Sequence, residues 1–395
     1  MTAARHIAFV CPRFADGATA GGAETLLRNL ASHAARAGRQ ITFLTTCARN
    51  HFTWANEVSP GARRIDGLDV RFFPVDEDRD VTSFLRVQSS ICARRTVSPE
   101  EEMLWLKNSV NSRTLCEHLQ TQEGEYDRIV MGPYLFGLIY FAARIHPART
   151  LLVPCLHDEP FAALRAMHEL FTGVGGFMFN SEPERDLAHR LYGIDLRHAA
   201  VVGMGLDPFA ADPAACPRAQ ALKQPYLVYS GRREPLKGTP LLLDYMQAFR
   251  SRTGRDLKLV FTGSGPLNVP PDLAPHVLDL GFVSEAEKHA AMAGALAFCH
   301  PSVNESFSIV ILEAWLAGTA VLVHAGSEVT RYHCRQCNGG LWFRNYPEFE
   351  QELLLLLDQP QLRAQLAANG NAYVHREYSW SVIERKLFAA LDAAP

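Results

Sequence analysis

The chain has 395 residues, of which 48% are hydrophobic and 21% are charged, and its formal net charge at pH 7 is −3. This composition is typical of a globular protein and excludes disordered, collagen-like and coiled-coil chains. The charges are nearly balanced, so the composition does not support a nucleic-acid-binding protein. Because one domain per roughly 150 residues is usual, we expect two domains.

The first apolar run, residues 7–11, ends at Pro12 and is too short for a signal peptide. No stretch reaches the ~18 uninterrupted apolar residues that a membrane span needs. The nine cysteines are therefore expected to be free thiols in a reducing cytoplasm. Peripheral contact with the inner face of the membrane stays open, because a small basic face is enough for it.

Short apolar runs alternate with segments of helical periodicity, beginning with a run at 6–11, a loop at 12–22 and a helix from Ala23. We predict strands over 6–11, 41–45, 70–75, 128–131, 150–154 and 176–179, and then over 226–230, 257–262, 276–280, 296–300 and 320–324. Strands that alternate with helices build parallel sheets. The sequence therefore predicts an α/β protein with two successive domains.

The stretch 207–225 is rich in proline and lacks periodicity, which predicts a linker. We therefore predict a first domain over 1–206, the linker over 207–225, a second domain over 226–375 and a helical C-terminal segment over 376–395. Residues 82–120 fit the alternation poorly and are interpreted as an insertion or lid on the first domain.

Two glutamates lie on either side of Ser306, near which we expect a helix to begin. The amides and partial positive charge of a helix N-terminus form an anion site. Glu305 precedes this helix and Glu313 lies about two turns into it, and eight helical residues rise about 12 Å, the scale of a nucleotide sugar. A capping Glu305 and a surface Glu313 are an equal alternative on spacing alone, although a carboxylate in the apolar stretch 309–316 needs a partner.

Arg232 and Lys237 follow the strand predicted over 226–230. Loops after parallel strands form the ligand crevice of such folds. An arginine and a lysine there can hold a diphosphate and stabilise the charge that grows on it. Alone, such a basic loop is usually only solvated.

Three glycines and a histidine also follow predicted strands. Gly21 and Gly22 follow the first strand, where glycine lets a ligand approach the backbone closely. Gly263 lies in another glycine turn, which a plain tight turn explains equally well. His157 follows the strand at 150–154 and can reach a substrate hydroxyl, unless the acidic residues beside it only cap the next helix.

These motifs resemble the retaining glycosyltransferases of the GT-B fold, family 4, the "glycosyl transferases group 1". Glu305 and Glu313 match the E-x(7)-E motif, and Arg232 and Lys237 match the R-x(4)-K pair. The resemblance covers nearly the whole chain. It implies two Rossmann-like α/β/α domains that face each other across a cleft, with a C-terminal helix that returns to the first domain.

The resemblance also implies an activity. It indicates transfer of a hexose from a nucleotide-diphosphate sugar to a hydroxyl of a saccharide, glycolipid or other small acceptor, with retention and without a metal or another cofactor. Bacterial polysaccharide or glycolipid assembly is typical of the family. The residues implied as catalytic are His157, Arg232, Lys237 and Glu305. The residues implied to bind the donor are Gly21, Gly22, Gly263, Ser306, Phe307, Ser308 and Glu313.

Two patterns suggest metal ligands, but each has a simpler explanation. The acidic run 76–80 is predicted to be a solvated loop. Cys334 and Cys337 have no second pair at a suitable spacing, so free thiols are expected there. Three other functions stay open: a sugar-nucleotide epimerase or hydrolase on the same scaffold, a non-catalytic sugar-nucleotide-binding module, and a nicotinamide oxidoreductase, which the poor glycine fingerprint disfavours.

Overall fold

The computed structural model describes residues 5–14 and 21–393. The chain forms two compact units: Met1–Met204 together with Ile383–Pro395, and Gly205–Val382. The N-terminal part of the first unit ends at Met204, against a predicted domain end at 206, and its C-terminal part begins at Ile383, against a predicted segment from 376. The predicted linker 207–225 falls inside the second unit. The predicted loop 12–22 and segment 376–395 extend into 15–20 and 394–395, outside the described residues.

The first unit is built on an eight-stranded sheet with the order β3-β4-β2-β1-β5-β6-β7-β8. Its strands are β1 (His6–Cys11), β2 (Gln40–Thr46), β3 (Gly61–Ile65), β4 (Leu68–Phe73), β5 (Arg128–Met131), β6 (Thr150–Leu152), β7 (Gly176–Phe179) and β8 (Ala199–Val201). All neighbouring pairs are parallel except β3 and β4. The parallel strands are mostly buried, as a sheet covered on both faces requires.

The helices of the first unit are α1 (Gly22–Arg36), α2 (Val81–Cys92), α3 (Pro99–Asn108), α4 (Arg113–Thr121), α5 (Gly137–Ala143), α6 (Arg165–Gly173) and α7 (Glu182–Tyr192). The interpretation of residues 82–120 as a lid is wrong, although its three helices do interrupt the alternation of strands and helices between β4 and β5. Val87, Trp105 and Leu115, from α2, α3 and α4, belong to the same hydrophobic core as β1 and β5. These helices are spaced irregularly in the sequence because no strand separates them, but they cover the sheet.

The second unit is built on a six-stranded, fully parallel sheet with the order β11-β10-β9-β12-β13-β14. Its strands are β9 (Tyr226–Ser230), β10 (Lys258–Thr262), β11 (Val277–Gly281), β12 (Ala297–His300), β13 (Val321–His324) and β14 (Gly340–Phe343). Its helices are α8 (Pro217–Gln220), α9 (Thr239–Thr253), α10 (Glu285–Ala293), α11 (Ile309–Leu316), α12 (Glu328–Cys337), α13 (Tyr346–Asp358) and α14 (Pro360–Glu377). The strand order reverses between β9 and β12, which is the Rossmann arrangement.

The last helix, α15 (Trp380–Asp392), begins after the predicted break at residues 378–381. From Ile383 onwards it belongs to the first unit. Its Asp392 carboxylate accepts hydrogen bonds from the Arg39 guanidinium at 2.6 and 2.7 Å, and Glu384 lies 2.7 Å from His33 Nδ1. Residues distant in sequence therefore complete the first unit.

Strands β1, β5, β7 and β9 have the predicted bounds, and the other predicted strands differ by one or two residues at one or both ends. The sequence analysis missed β3, β8 and β14. β3 is exposed and arginine-rich, and the other two have three and four residues, so none shows the long apolar run that marks a buried strand. Among the described residues, no helix has the length and hydrophobicity needed to cross a membrane.

Candidate active site

The candidate site lies in the second unit, at the carboxyl ends of β9 and β12. These neighbouring strands pair in parallel, and the strand order reverses between them. The loop that carries Arg232 and Lys237 follows β9, and the loop that carries Glu305 follows β12. The fold therefore brings the basic loop and the acidic loop to one switch point, where open α/β sheets bind ligands.

Glu305 is held between two basic side chains. One carboxylate oxygen lies 2.7 Å from the Lys237 ammonium and 3.1 Å from His300 Nε2, and the Glu305 side chain is only 11% exposed. Burial alone raises the pKa of Glu305, but the charges of Lys237 and His300 outweigh it and hold that pKa well below its usual range. Glu305 is therefore a fixed anion. The sequence analysis missed His300 because it ends an apolar strand and resembles a core residue.

The loop after β9 contains two arginines in different surroundings. The Arg232 side chain is 55% exposed and lies 3.2 Å from Glu234. The Arg233 guanidinium is buried and donates to both Asp279 carboxylate oxygens and to the Gly263 carbonyl oxygen. Arg232 can therefore meet a ligand, whereas Arg233 fixes the loop.

Gly263 is required by the packing of two loops. Its φ is +112°, and a Cβ at this position would lie 2.1 Å from the Gly231 carbonyl oxygen. Its N–H donates to the Gly281 carbonyl oxygen at 2.8 Å. The tight-turn explanation accounts for this glycine, and contact with a donor stays a prediction.

The helix after Glu305 begins later than predicted. Ser306 and Phe307 are not helical, and α11 begins at Ile309, so the expected 12 Å of continuous helix between Glu305 and Glu313 is wrong. The cause is Ser308, whose φ and ψ are both 64°, in the left-handed region that a right-handed helix excludes.

The Phe307 ring anchors the loop that precedes α11. It is 5% exposed and packs edge-on against His333 and Tyr378, with ring centroids 5.9 and 5.3 Å apart. Phe307 is therefore a buried anchor for the loop between Glu305 and α11.

Glu313 has the partner that a carboxylate in an apolar helix requires. Its Oε1 accepts a hydrogen bond at 3.0 Å from Lys288, which also pairs with Glu285 at 2.6 Å. Burial raises the pKa of Glu313, and Lys288 opposes this shift. The motif spacing could not indicate Lys288, because this residue lies on another helix, α10.

The side chains of Glu285, His289 and Glu313 could together hold a metal ion, since their ligand atoms lie within 4.8 Å of one another. Burial lowers the pKa of His289 to about 4, so its imidazole is neutral at pH 7. The Lys288 ammonium, however, already contacts both carboxylates. The arrangement therefore fits an internal ion pair better than a metal centre.

The other metal-like patterns also have internal roles. Asp76 and Asp78 pair with Arg113, at 3.5 and 3.0 Å, and Asp80 caps α2. Cys334 and Cys337 lie on α12, and both are free thiols. The other seven cysteines are free thiols as well.

In the first unit, Gly21 and Gly22 lie at the start of α1. A Cβ at Gly21 would lie 2.3 Å from the Glu24 carboxylate, whereas a Cβ at Gly22 would meet nothing within 4 Å. The Glu24 carboxylate in turn pairs with Arg13 at 2.8 Å. A side chain at position 21 would therefore have to displace the Glu24 carboxylate and disturb its pairing with Arg13, whereas Gly22 has open space beside the helix start.

His157 follows β6, in a loop stabilised by a buried carboxylate. Its Nδ1 lies 3.6 Å from Glu159, which accepts a hydrogen bond from the Tyr134 hydroxyl at 2.8 Å. Beneath the loop, the Glu184 carboxylate accepts the Leu156 N–H through one oxygen and the Asn180 N–H through the other, both at 2.6 Å.

The sequence analysis missed the contact of Glu184 with this loop. It is 1% exposed, and burial raises its pKa to about 8, against the hydrogen bonds of the backbone amides. The sequence shows Ser181 three residues before it, which is the pattern of a capping box. Because a capping box already explains this glutamate, the sequence does not indicate that its side chain contacts the loop that carries His157.

Several buried polar atoms near the switch point have no hydrogen-bond partner within the described part of the chain. They include His300 Nδ1 at the end of β12, Thr262 Oγ1 at the end of β10, Ser308 Oγ before α11 and Glu313 Oε2 within it. Native proteins rarely leave such groups unsatisfied, and ligands are one reason for the exceptions. Their position supports a polar ligand at this edge of the sheet.

Comparison with known proteins finds a family match that lies within the second unit. Residues 217–373 match the sequence profile of the family described as "Glycosyl transferases group 1". The phosphatidyl-myo-inositol mannosyltransferase of Mycobacterium tuberculosis strain H37Rv is 32% identical over 243 residues, which cover 58% of this chain and 61% of that protein. The chain thus spans about three fifths of the length of this relative.

Solved structures match over a larger part of the chain. Sucrose-phosphate synthase from Thermosynechococcus elongatus has a TM-score of 0.70 at 15% identity, covering 98% of this chain and 100% of the other. Anabaena Alr3699/HepE, solved in complex with UDP, has a TM-score of 0.70 at 17% identity, covering 98% and 99%. Residues 217–373 therefore match the glycosyl transferases group 1 family, and the GT-B fold of the solved structures extends over 98% of this chain, as the motifs predicted.

Proposed function

We propose that the protein is a retaining glycosyltransferase that moves a hexose from a nucleotide-diphosphate sugar to a hydroxyl of a saccharide, a glycolipid or another small acceptor. The observation that carries the proposal is the Lys237–Glu305 pair at the switch point, just before the N-terminus of α11. An ammonium, the exposed Arg232 guanidinium and helix amides are the groups that hold a diphosphate.

The geometry of Glu305 favours front-face attack. A carboxylate held by Lys237 and His300 is a stable anion and a poor nucleophile toward the anomeric carbon. In the proposed step, the acceptor oxygen bonds to the anomeric carbon on the face from which the diphosphate leaves. The bond between the sugar and the diphosphate breaks, and a departing phosphate oxygen takes the acceptor proton. Arg232 and Lys237 stabilise the charge that grows on the diphosphate.

The remaining roles follow the family pattern. Glu305 accepts hydrogen bonds from the donor sugar, and Glu313 accepts them from the ribose. His157 contacts the donor sugar. Two relatives are consistent with such a donor and acceptor: HepE was solved with UDP, and the mycobacterial relative is named for a mannosyl transfer to a phosphatidylinositol.

We propose that no metal takes part, because Arg232, Lys237 and the α11 amides supply the positive charge that a metal would bring. We also place the activity in the cytoplasm, at the inner face of the membrane where the acceptor is a lipid. The nine free thiols favour a reducing compartment.

The test is a panel of UDP-, GDP- and ADP-sugars incubated with and without saccharide and lipid acceptors. We expect one donor to release its nucleoside diphosphate rapidly only when an acceptor is present, and the glycosidic product to keep the donor's anomeric configuration. Nucleotide release at the same rate without an acceptor indicates a hydrolase, and isomerised donor indicates an epimerase. Binding without turnover of any donor contradicts the enzyme assignment.

A further inference from the structure

Ser308 combines two unfavourable features at one position. Its φ of +64° lies in the left-handed region, which costs a residue with a Cβ about 1–2 kcal/mol relative to the right-handed conformation and costs glycine little. Its Oγ is buried and has no hydrogen-bond partner among the described residues. Residues that keep such conformations cluster at ligand sites, where the surrounding structure holds them.

The serine hydroxyl does not serve as a helix cap. In the same unit, Ser284 and Ser327 precede α10 and α12 with extended backbones, and each Oγ accepts the N–H three residues later. Ser308 precedes α11 in the left-handed conformation, and its side chain makes no capping hydrogen bond. The usual reason for a serine before a helix is therefore missing at Ser308.

The surroundings of Ser308 favour an anionic partner. It is followed by α11, an eight-residue helix whose first amides carry partial positive charge. It lies three residues after Glu305, whose carboxylate is already bound by Lys237. The hydroxyl can turn about χ1 between staggered positions, and it donates one hydrogen bond to an acceptor oxygen.

We propose that the Ser308 hydroxyl is a ligand of the diphosphate, donating its hydrogen bond to a phosphate oxygen of a nucleoside diphosphate held at the α11 N-terminus. This inference rests on the proposed function and adds a side-chain donor to the backbone amides. It also explains why a serine stands where a glycine would be unstrained: the hydroxyl gains a charged acceptor when the diphosphate binds.

Calorimetric titration with UDP, GDP and ADP tests the proposal on three variants of the full chain. Ser308→Ala removes the hydroxyl and keeps the backbone strain, whereas Ser308→Gly removes both. We expect each to bind the nucleoside diphosphate that the wild type prefers about tenfold or more weakly, as for loss of a hydrogen bond to a charged group. Ser308→Gly should unfold at a higher temperature than Ser308→Ala, because it relieves the strain.

Ser284→Ala is the matched control. It removes a serine hydroxyl that also precedes a helix of the second unit, so it should lower the unfolding temperature and leave the affinity unchanged. If Ser308→Ala and Ser308→Gly bind as tightly as the wild type, the hydroxyl is no ligand and the inference fails alone. If the wild type binds none of the three nucleotides and turns over no sugar nucleotide, the proposed function fails together with it.

Discussion

Arg232 and Arg233 are adjacent in the sequence, but their side chains have opposite surroundings. The Arg233 side chain is 4% exposed, and its guanidinium donates hydrogen bonds to both Asp279 carboxylate oxygens, at 2.6 and 2.7 Å. The Arg232 side chain, in contrast, is 55% exposed. The loop after β9 therefore uses one arginine to fix its own shape and leaves the other accessible at the switch point.

This difference predicts opposite effects of the same substitution. Arg232→Ala should lower turnover by about 10²–10³, the effect of losing a positioned donor to growing charge, and leave unfolding unchanged. Arg233→Ala should lower the free energy of unfolding, by less than the ~3–5 kcal/mol of a fully buried pair because Asp279 is partly exposed. Turnover and urea unfolding measure the two. If the two variants lose turnover and stability to the same extent, the assignment of Arg232 to the ligand and of Arg233 to the loop is wrong.

Glu313 and Glu285 share Lys288, which provides a matched pair of substitutions. Glu313→Gln should reduce turnover by about 10² or more, since Glu313 is placed to hold the ribose, and should leave the protein folded. Glu285→Gln removes the other, 71% exposed partner of the same lysine and should keep near-normal turnover. If Glu313→Gln is as active as Glu285→Gln with the true donor, the ribose role is wrong.

Glu305 and Glu184 are buried carboxyls whose pKa values shift in opposite directions. The pKa of Glu305 is lowered because Lys237 and His300 outweigh its burial, so its contribution to stability is present above about pH 4.3 and is lost as the pH falls further. Burial raises the pKa of Glu184 to about 8, so its ionisation costs stability increasingly from about pH 4.3 to 8.

Unfolding in urea between pH 3 and pH 9 measures both effects. The loss of unfolding free energy caused by Glu305→Gln should be constant at neutral pH and should become smaller below about pH 4. The stability of the wild type relative to Glu184→Gln should instead decline as the pH rises toward 8. If both stability differences change in the same direction as the pH rises, this electrostatic account is wrong.

Activity should persist after exhaustive treatment with EDTA. Arg232, Lys237 and the amides at the start of α11 are proposed to neutralise the diphosphate without a metal. Rates before and after chelation, and after addition of Mg²⁺ or Mn²⁺, check this. Complete loss on chelation with recovery on addition of either ion overturns the metal-free site.

The helices α2 to α4 should contribute to the stability of the first unit. Trp105 is 2% exposed and stacks on Phe84 and Phe161, so Trp105→Ala should cost about 3–5 kcal/mol of unfolding free energy. Leu85→Ala, at a position 53% exposed in the same segment, should change stability little. A folded Trp105→Ala protein with wild-type stability restores the lid interpretation.

The sequence predicted most of the fold because its parallel strands are buried runs separated by helical patterns. Motif spacing located Lys237 and Glu305 at neighbouring strand ends, where the structure joins them. It could not reveal Lys288, His300 or Glu184, because each acts through a contact between elements distant in sequence. The late start of α11 was also hidden, since a left-handed Ser308 leaves no sign in the pattern of apolar residues.

The first unit is discontinuous in sequence, and this has a consequence for synthesis. Asp392 pairs with Arg39, and Ala393 provides a carbonyl oxygen to Arg128, at 3.0 Å. The segment that makes these contacts emerges from the ribosome after the whole second unit has been translated. The unit that begins first is therefore completed last, and until then its eight-stranded sheet lacks the C-terminal part of α15, which leaves the kind of intermediate that chaperones protect.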